Sequence, residues 1–338
     1  MGLESLIRRW ARCRVLVVGD LMLDEFLWGR VERVSPEAPV LVVNVERETF
    51  HPGGAGNVAL NARALGAGVA VCGVVGNDLS GRQLLEQLKL AGIDTAGIVR
   101  SRAAITSRKS RVIAHSQQVV RFDREQRRHP AATMTRLCRW LTAAAAQFDA
   151  VLVSDYGKGV ITPQTLATLP TSGQPPLIVD PKKPNFSSYC GATLATPNVH
   201  EAAEAAGLEI ADESGLRRAG LRLLEKWRSE AVLITRGEHG MTLIRTDGIL
   251  HHFPTVSRQV FDVTGAGDTV AAVCALALAA GAGLEQAAEL ANHAAGIVVG
   301  KLGTATVTPA ELRASLHTAL RRSNDPSAGK RKQQRRSP

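Results

Sequence analysis

Short apolar segments alternate with helical segments along most of the 338-residue chain, and this alternation restricts the possible folds more than any other feature. Strands are predicted at residues 14–19, 69–75, 150–154, 177–179, 192–195 and 231–235. Helices are predicted at residues 55–65, 80–91 (with Ser80 as cap), 133–147, 163–169, 198–206, 213–229, 267–280, 284–299 and 309–321. Strands that alternate with helices are typical of a mostly parallel sheet covered on both faces. The sequence therefore predicts an α/β protein.

Two segments interrupt this alternation. Residues 31–48 and 104–125 alternate polar and apolar side chains, with no helix between the strand candidates. A sheet made of such strands buries only one face by itself. We therefore expect a small β-sheet that projects from the body and covers a ligand, pairs with a second subunit, or does both. The body and this sheet are expected to form one domain over residues 1–324.

The composition excludes several classes of protein. With 45% hydrophobic residues the chain can bury a large core, but its longest apolar run, residues 270–282, is too short for a membrane span. The first residues lack the continuous apolar core and the cleavage site of a secretory signal. The five cysteines are widely spaced, and no His or Cys pair shows zinc-ligand spacing. These features predict a cytoplasmic protein with reduced cysteines, no membrane segment and no structural metal.

The net charge of +10 raises the question of a nucleic-acid partner. Residues 325–338 contribute +4 of it, since five basic residues there stand against Asp325 alone. This tail is rich in Ser, Gly, Pro and Gln, and we expect it to be disordered. It has no aromatic residue that could stack on bases. We therefore expect no nucleic-acid partner, and a moderately basic body suits polyanionic substrates.

Residues 262–268 read Asp-Val-Thr-Gly-Ala-Gly-Asp and stand directly before an apolar helical run. Gly265 and Gly267 allow backbone N–H groups to point into one small space, where the start of the helix adds partial positive charge. Asp268, at the helix entrance, is aimed at the same space. A phosphate site beside a carboxylate that can accept a hydroxyl proton is what a sugar kinase requires. The alternative is a Gly-rich turn in which Asp268 only caps the helix.

Two further motifs carry groups suited to a sugar. Asp20 and Asp24 follow the first strand, where ligands bind in open α/β sheets, and their carboxylates can accept hydrogen bonds from hydroxyl groups. Gly53, Gly54 and Asn57 stand at a helix start, where the glycines permit close approach of a ligand and the amide can both donate and accept. For the aspartates, the alternatives are a loop with two solvated acids or an Asp that caps a turn; for the second motif, the alternative is a Gly-rich helix start without a ligand. The glycine spacing is not that of a dinucleotide-binding motif.

The motifs in the second half of the chain suit nucleotide phosphates. Asn198 and Glu201 follow a strand end, where Glu201 can hold Mg²⁺ through water, but the same two residues also form the pattern of a helix capping box. Lys182 and the run Thr235-Arg236-Gly237 end apolar strands, and their charges can either screen the transferred group or be ordinary surface charges. A small-residue helix followed by the turn at Gly303 suits the wall of an adenine pocket, or a helix end.

In this order the motifs resemble the ribokinase, or PfkB-type, family of carbohydrate kinases over residues 14–321. The most specific elements are residues 262–268 and 53–57. The resemblance implies a three-layer α/β/α body with a small β-sheet lid, ATP with Mg²⁺ as donor, and Asp268 as base. It further implies these site residues: Gly265 and the N–H groups of Ala266, Gly267 and Asp268 at the phosphoryl group; Asn198, Glu201, Thr235, Arg236, Gly237, Asn292 and Gly303 at the nucleotide; and Asp262 and Thr264 as ligands of a monovalent cation such as K⁺.

A closer resemblance lies in residues 18–24, 35–40, 152–159 and 300–304, which are similar to the D-glycero-β-D-manno-heptose 7-phosphate kinases. That family phosphorylates the anomeric hydroxyl to give the 1,7-bisphosphate, on the route to ADP-heptose and the lipopolysaccharide core. The resemblance implies a homodimer through the lid. The implied substrate ligands are Asp20, Asp24, Gly53, Gly54 and Asn57 for the sugar, and Lys109, Arg111, Arg124, Lys158 and Lys182 as candidates for its phosphate. The His-x-Gly-His motif of the adenylyltransferase domain in two-domain members is absent, which predicts a stand-alone kinase.

Other functions remain as alternatives at this point. The first is a ribokinase-family kinase that acts on another sugar, a sugar phosphate or a nucleoside. The second is a nucleic-acid-binding protein that uses the basic tail. The third is an inactive sugar sensor on a kinase fold, and the presence of Gly265, Gly267 and Asp268 argues against it.

Overall fold

The computed structural model describes residues 2–115, 117–171, 175–257, 260–301 and 303–323, so the expected tail at residues 325–338 lies outside the described residues. In chain order, the described strands are β1 (Arg14–Gly19), β2 (Leu21–Val34), β3 (Leu41–Gly54), β4 (Gly68–Gly76), β5 (Asp94–Ser101), β6 (Ser107–Ala114), β7 (Gln117–Arg124), β8 (Ala150–Ser154), β9 (Leu177–Asp180), β10 (Leu194–Ala195), β11 (Ala231–Thr235), β12 (Met241–Arg245) and β13 (Leu250–Phe253). The described helices are α1 (Leu3–Arg9), α2 (Ala55–Ala64), α3 (Leu79–Leu90), α4 (Ala131–Ala144), α5 (Pro163–Leu166), α6 (Val199–Ala206), α7 (Glu213–Trp227), α8 (Ala266–Ala279), α9 (Leu284–Val298) and α10 (Pro309–Ser323).

Nine of these strands form one sheet in the order β13-β12-β11-β10-β9-β8-β1-β4-β5. The strands from β11 to β5 pair in parallel, and β12 and β13 add an antiparallel edge. Gly19 at the end of β1 pairs with Ser154 of β8, which in turn pairs with Asp180 of β9. The carboxyl ends of these strands therefore meet at one edge, where a ligand crevice is expected in such a sheet.

The side chains of β1 alternate between two apolar layers. Val15 and Val17 belong to the layer that contains α2, α8 and α9, whereas Leu16 and Val18 belong to the layer that contains α4, α6 and α7. Because both faces of the sheet are covered, the strand reads as a continuous apolar run. From Asp268 to Ala277, every residue of α8 is buried, and from Val270 onward these residues are apolar on all sides of the helix. The result is the expected three-layer α/β/α body.

A second sheet has the order β3-β2-β6-β7, and we call it the lid. β2 and β3 pair as a long hairpin, from Leu21 with Gly54 to Val34 with Leu41, and β6 runs parallel to β2. The lid strands extend beyond residues 31–48, because β2 begins immediately after β1 and the hairpin pairs over its full length. Asp24 thus lies within β2, and Asp20 and Asp24 are both buried. The interpretation of a loop with solvated acids is therefore wrong.

Three strands, the helix α1 and one helix cap differ from the sequence prediction. β5, β12 and β13 were not predicted, because they lie near the ends of the sheet and lack long apolar runs. In β5, the ring of Trp140 covers Gly97 so closely that a Cβ there would lie 2.7 Å from it. The cap of α3 is Asp78 and not Ser80. Asp78 also accepts hydrogen bonds from the N–H and the hydroxyl of Thr106, so the carboxylate joins α3 to the start of β6.

Two further observations concern the expectations from composition. None of the helices in the described ranges combines the length and the apolar character needed to cross a membrane. All five cysteines are unpaired, and only Cys190 is exposed.

Candidate active site

Asp268 lies in the first turn of α8, and its side chain is buried at the crevice edge of the large sheet. Its Oδ2 accepts a hydrogen bond from Nδ2 of Asn57 at 2.6 Å, and its Oδ1 accepts one from the hydroxyl of Tyr156 at 2.5 Å. Burial raises the pKa of Asp268 to about 6, although both hydrogen bonds act to lower it. A carboxylate with this pKa is mostly ionised at neutral pH and can accept a proton.

The turn before α8 leaves two backbone donors free. Gly265 is the helix N-cap and has a left-handed conformation with φ of 80°, which favours glycine. The N–H of Ala266, expected at the phosphoryl group, already donates to the carbonyl of Val263 at 3.2 Å. The N–H groups of Gly267 and Asp268 have no acceptor among the described residues, and a Cβ at Gly267 would meet nothing within 4 Å. Free donors, open space and a helix start together suit an anion.

The helix α2 holds Asn57 against the start of α8. Asn61, one turn further along α2, donates from Nδ2 to the carbonyl of Asn57 at 2.9 Å. Its Oδ1 accepts a hydrogen bond from the hydroxyl of Thr269, also at 2.9 Å. Asn57, Asn61 and Thr269 are all buried, so each polar group needs such a partner. Asn57 was predicted from the Gly-rich motif, whereas Asn61 was not.

Asp24 faces the crevice from the lid strand β2. Its Oδ1 forms an ion pair with a guanidinium nitrogen of Arg111 on β6 at 2.5 Å. Its Oδ2 lies so close to Gly53 that a Cβ at that position would be 2.1 Å away. The neighbouring Gly54 has φ of 56°, and a Cβ there would lie 2.5 Å from the carbonyl oxygen of Asp20. Gly53 is therefore required by the close packing of β3 on β2 within the hairpin, and Gly54 by the close approach to Asp20.

Asp20 holds the loop that follows β8. Its Oδ2 accepts hydrogen bonds from the N–H groups of Tyr156 at 2.9 Å and Lys158 at 3.0 Å. Its Oδ1 accepts one from the N–H of Val160 at 3.0 Å. The structure thus occupies both oxygens of Asp20 with backbone donors, and this arrangement orders residues 156–160.

Asp155 supports the same loop from the opposite side and was not predicted. Its Oδ2 accepts hydrogen bonds from Nδ2 of Asn185 and from the hydroxyl of Tyr189, each at 2.6 Å. Its Oδ1 accepts the N–H of Gly157 at 2.7 Å. Burial raises the pKa of Asp155 to about 6 despite these bonds.

A cleft of about 150 Å³ lies at the crevice edge, and Asp20, Asp24 and Asn57 are not among its lining residues. Its lining combines predicted residues from both halves of the chain with residues that were not predicted: Gly265, Gly267, Asp268, Lys182, Asn198, Glu201 and Thr235 in the first set, and Asp155, Tyr156, Asp180, Pro181 and Thr196 in the second. Those of the second set lie next to the carboxyl ends of β8, β9 and β10. The rule that pointed to Asp20 after β1 would have found them, had it been applied to every parallel strand.

Asn198 and Glu201 form the capping box of α6. The Asn198 side chain accepts the N–H of Glu201 at 2.9 Å, and Glu201 accepts the N–H of Asn198 at 3.1 Å. The other oxygen of Glu201 binds Nζ of Lys182 at 2.6 Å. The described ranges contain no group of three or more His, Cys, Asp or Glu side chains that could hold a metal ion. A divalent cation here would therefore take most of its ligands from water and phosphate.

The remaining nucleotide candidates divide into two groups. Thr235 ends β11 beside Asn198 and lines the cleft. Arg236 and Asn292 are not among the lining residues: the first donates to Oγ1 of Thr242 at 3.1 Å, and the second to the carbonyl of Pro254 at 2.8 Å. Gly237 and Gly303 are also outside the lining, and both have positive φ with open space where a Cβ would stand.

Asp262 lies in the segment before α8. Its carboxylate accepts the N–H of Thr264 at 2.9 Å and the N–H of Gly303 at 3.1 Å. Partial burial acts to raise the pKa of Asp262, but these hydrogen bonds outweigh it, so the net pKa is lower than usual. An ionised carboxylate that joins two turns suits a cation ligand and also suits a purely structural contact.

The candidate cations of the lid differ in their partners. Nζ of Lys158 binds Oε2 of Glu125 at 2.5 Å, and Arg124 is exposed on β7. Nζ of Lys109 on β6 lies 5.8 Å from the centre of the Tyr156 ring. Within the described residues, Lys109 forms no ion pair, and burial lowers its pKa from the ordinary value. Lys109 is therefore a cation that lies at the crevice without a paired carboxylate.

Comparisons with known proteins agree with this geometry. A sequence profile described as pfkB family carbohydrate kinase matches residues 13–311. The "Bifunctional protein HldE" of Geobacter sulfurreducens is 50% identical over 319 residues, which make up 93% of this chain and 65% of that protein. The protein of the same name from Geotalea uraniireducens is 49% identical over 318 residues, with the same coverage. The chain thus spans about 65% of the length of these relatives.

Solved structures share the fold. Phosphofructokinase-2 from Escherichia coli in complex with potassium has a TM-score of 0.77 and 18% identity, and the match covers 89% of this chain and 97% of that one. Ribokinase from Arabidopsis thaliana complexed with ribose and ATP has a TM-score of 0.70 and 18% identity, with 90% and 98% covered. The expected ribokinase-like fold and the expected carbohydrate-kinase class are both confirmed. The chain belongs to the pfkB family of carbohydrate kinases.

Proposed function

We propose that this sugar kinase transfers the γ-phosphoryl group of ATP to the anomeric hydroxyl of D-glycero-β-D-manno-heptose 7-phosphate and releases the 1,7-bisphosphate. The observation that carries the proposal is the buried Asp268 beside the free N–H groups of Gly267 and Asp268. The choice of sugar is supported by the motifs at residues 18–24, 35–40, 152–159 and 300–304 that resemble heptose 7-phosphate kinases. The product would enter the synthesis of ADP-heptose for the lipopolysaccharide core.

In this reaction, Asp268 serves the sugar hydroxyl and the free N–H groups beside it serve the phosphoryl group. The sugar hydroxyl gives its proton to Asp268, and its oxygen forms a bond to the γ-phosphorus. The bond between that phosphorus and the β-bridging oxygen breaks, so ADP leaves with the electron pair. The N–H groups of Gly267 and Asp268, with the helix start behind them, stabilise charge on the transferred group. We assign Ala266 and Gly265 to the shape of the turn, since the N–H of Ala266 already has an acceptor.

The sugar is proposed to lie between the lid and α2. Asp24 and Asn57 are the polar side chains proposed to face it, and Gly53 and Gly54 allow the close packing that holds Asp24 in place. Asp20 is reassigned to the support of residues 156–160, since three backbone N–H groups occupy its oxygens.

For the phosphate of the substrate, we rank Lys109 first among the five candidate cations. Arg111, Lys158 and Lys182 each bind a carboxylate within 2.6 Å. A phosphate would have to displace that partner, whereas Lys109 lies at the crevice without one. Arg124 is exposed on the outer strand β7 and ranks second.

The nucleotide is proposed to lie along Asn198, Glu201 and Thr235, with Lys182 beside its phosphates. Mg²⁺, when bound with ATP, would neutralise charge on the β- and γ-phosphates, and Glu201 suits a contact to it through water because the described ranges contain no group of three or more His, Cys, Asp or Glu side chains that could hold the ion directly. Gly237, Gly303 and Asn292 would border the base and ribose, with Arg236 behind them. Asp262 and Thr264 are proposed for K⁺, supported by the ionised state of Asp262.

The alternative is a kinase of the same family for another sugar, sugar phosphate or nucleoside. A substrate panel with ATP distinguishes the two, with the mass of each product as the measurement. We expect a heptose bisphosphate from heptose 7-phosphate and little turnover of ribose, fructose 6-phosphate or adenosine. Turnover of any of these with none of heptose 7-phosphate would refute the heptose assignment and leave the kinase assignment intact.

We also propose a homodimer that pairs through the lid. Val45, Val120 and Phe122 on lid strands are 47–49% exposed, an unusual density of apolar surface on a small sheet. Light scattering on the purified protein should give twice the chain mass, and Phe122→Lys should give the single mass. We place the reaction in the cytoplasm, where ATP is available and unpaired cysteines stay reduced.

A further inference from the structure

Tyr156 stands between the lid and Asp268, and none of the sequence motifs assigned a role to it. Its hydroxyl donates to Oδ1 of Asp268 at 2.5 Å, while Asn57 donates to Oδ2 at 2.6 Å. Each oxygen of the carboxylate thus has one fixed donor, so the plane of the carboxylate is set. A group that must accept a proton from a bound hydroxyl depends on such an orientation.

Two buried carboxylates hold the backbone at and next to Tyr156. Its N–H donates to Oδ2 of Asp20 at 2.9 Å. The adjacent Asp155 accepts the N–H of Gly157 at 2.7 Å and is itself fixed by Asn185 and Tyr189. Two buried carboxylates therefore determine where the Tyr156 ring lies. Burying charged groups costs free energy. Here both buried carboxylates hold the same loop, whose Tyr156 side chain reaches Asp268.

The surroundings of Asp268 would otherwise oppose its ionisation. Asp24 on the lid strand β2 acts against its negative charge, while Lys109 on β6 favours that charge. Asp180 at the end of β9 is also close, and burial together with Asp268 raises the pKa of Asp180 well above its ordinary value. The Tyr156 hydroxyl has a pKa raised well above its ordinary value by burial and by these carboxylates. It therefore keeps its proton and can only donate.

We propose that Tyr156 is a positioning residue, which fixes the orientation of Asp268 and keeps it ionised beside the neighbouring carboxylate of Asp24. Asp268 would take the sugar proton, and Tyr156 would act through Asp268 without contacting the reacting atoms. The inference rests on the proposed role of Asp268 as base. It adds a specific cause for the ionised state: one hydrogen bond from a hydroxyl that remains protonated throughout.

The test uses the pH dependence of kcat/KM for the full-length protein, with Tyr156→Phe as the variant and Tyr189→Phe as the matched control. The chain has only these two tyrosines, and both donate to a buried aspartate. Loss of a hydrogen bond to the charged form should move the acidic limb of Tyr156→Phe up by about one pH unit. At pH values below the acidic limb, the kcat of Tyr156→Phe should be about tenfold lower than that of the wild type. Its KM for ATP should be unchanged. Tyr189→Phe should keep the limb of the wild type, because Asn185 still donates to Asp155 and both donors to Asp268 remain.

A second variant keeps the test decisive if Tyr156→Phe does not fold. In the Tyr189→Phe background, growth on 3-fluorotyrosine replaces Tyr156 alone by a tyrosine with a more acidic hydroxyl. The stronger donor should move the acidic limb to lower pH. An unchanged limb in both Tyr156→Phe and the fluorinated protein would overturn the inference, and so would an equal shift in Tyr189→Phe. If Asp268→Asn retained normal turnover, the base assignment itself would fail, which is a different outcome from either of these.

Discussion

Asn57 and Asp268 are 211 positions apart in the chain, yet Nδ2 of the first donates to Oδ2 of the second at 2.6 Å. The contact joins the start of α2, which follows the lid hairpin, to the start of α8, which follows the glycine turn. A Cβ on Gly265 would lie 2.9 Å from the same amide nitrogen, so the turn and the amide fit together only with glycine there. The groups proposed for the sugar and those proposed for the phosphoryl group therefore share one carboxylate.

Asp268→Asn should reduce kcat by about 10²- to 10⁴-fold, because the amide keeps the shape of the carboxylate but cannot take the hydroxyl proton. Binding measurements should show that Asp268→Asn has an affinity for ATP close to that of the wild type. Asp247→Asn, on the exposed turn between β12 and β13, is the matched control and should retain full turnover. Near-normal activity of Asp268→Asn would refute the proposal that Asp268 is the base.

The wild-type enzyme should lose kcat/KM as the pH falls through about 6. Burial raises the pKa of Asp268 to about 6, and only its ionised form accepts a proton, so each unit below that value should cost about tenfold. Asn57→Ala removes a hydrogen bond that lowers this pKa, and its limb should therefore lie at higher pH. A flat profile over about pH 5 to 8 would contradict the assignment.

Gly267→Ala should lower turnover without lowering stability. The new methyl group meets nothing within 4 Å in the structure, and alanine favours a helix by up to about 1 kcal/mol over glycine. It would, however, occupy the space proposed for the transferred phosphoryl group. Gly265→Ala should instead destabilise the fold, because φ is 80° and Asn57 is in contact. Thermal unfolding and kcat measured on both variants separate the two effects, and full activity of Gly267→Ala would exclude the proposed phosphoryl position.

Lys109→Met should raise the KM for a phosphorylated sugar about tenfold, since a charge-assisted contact to the substrate phosphate would be lost. Because Lys109 also acts to lower the pKa of Asp268, the kinetics should be compared at a pH above the acidic limb. Lys89→Met, at an exposed position on α3, is the control. If the KM were unchanged for Lys109→Met and raised for Arg124→Met, the substrate phosphate would be assigned to Arg124 on β7 instead.

Removal of residues 325–338 should leave kcat and both KM values unchanged. This basic segment has no aromatic residue and follows the last helix of the kinase body. Steady-state kinetics of the truncated protein provide the measurement. A loss of turnover would give the tail a part in the reaction that the present proposal does not include.

Much of the site could be predicted because local backbone requirements leave marks in the sequence. The need for positive φ at Gly265 and for open space at Gly267 produces the glycine pattern before α8. The capping box at Asn198 and Glu201 is likewise a contact between residues three positions apart, and the pattern indicated it correctly. The central strand β1 was predicted with its observed bounds because both of its faces are covered, which makes it continuously apolar.

Other assignments depended on contacts that no local pattern contains. The burial of Asp24 within the lid strand results from hairpin pairing that begins at Leu21 and Gly54. The use of Asp20 for the loop after β8 results from the parallel pairing of β1 with β8. Likewise, ion pairs such as Arg111 with Asp24 decide which of the five candidate cations already bind a carboxylate. Sequence motifs indicate which residue types a site contains, but they do not indicate which residues contact each other in the folded chain.

By itself, the sequence determined the alternation of strands and helices, the covered parallel sheet, the glycine turn before α8 and Asp268 as the carboxylate at its end. These features follow from periodicity and from backbone conformation, which act between near neighbours in the chain. Only the tertiary structure decided that Tyr156 and Asn57 hold Asp268 from two sides, and that burial raises its pKa to about 6. Burial and hydrogen bonding across more than a hundred positions depend on how the elements pack, and that packing sets the proton affinity of the carboxylate.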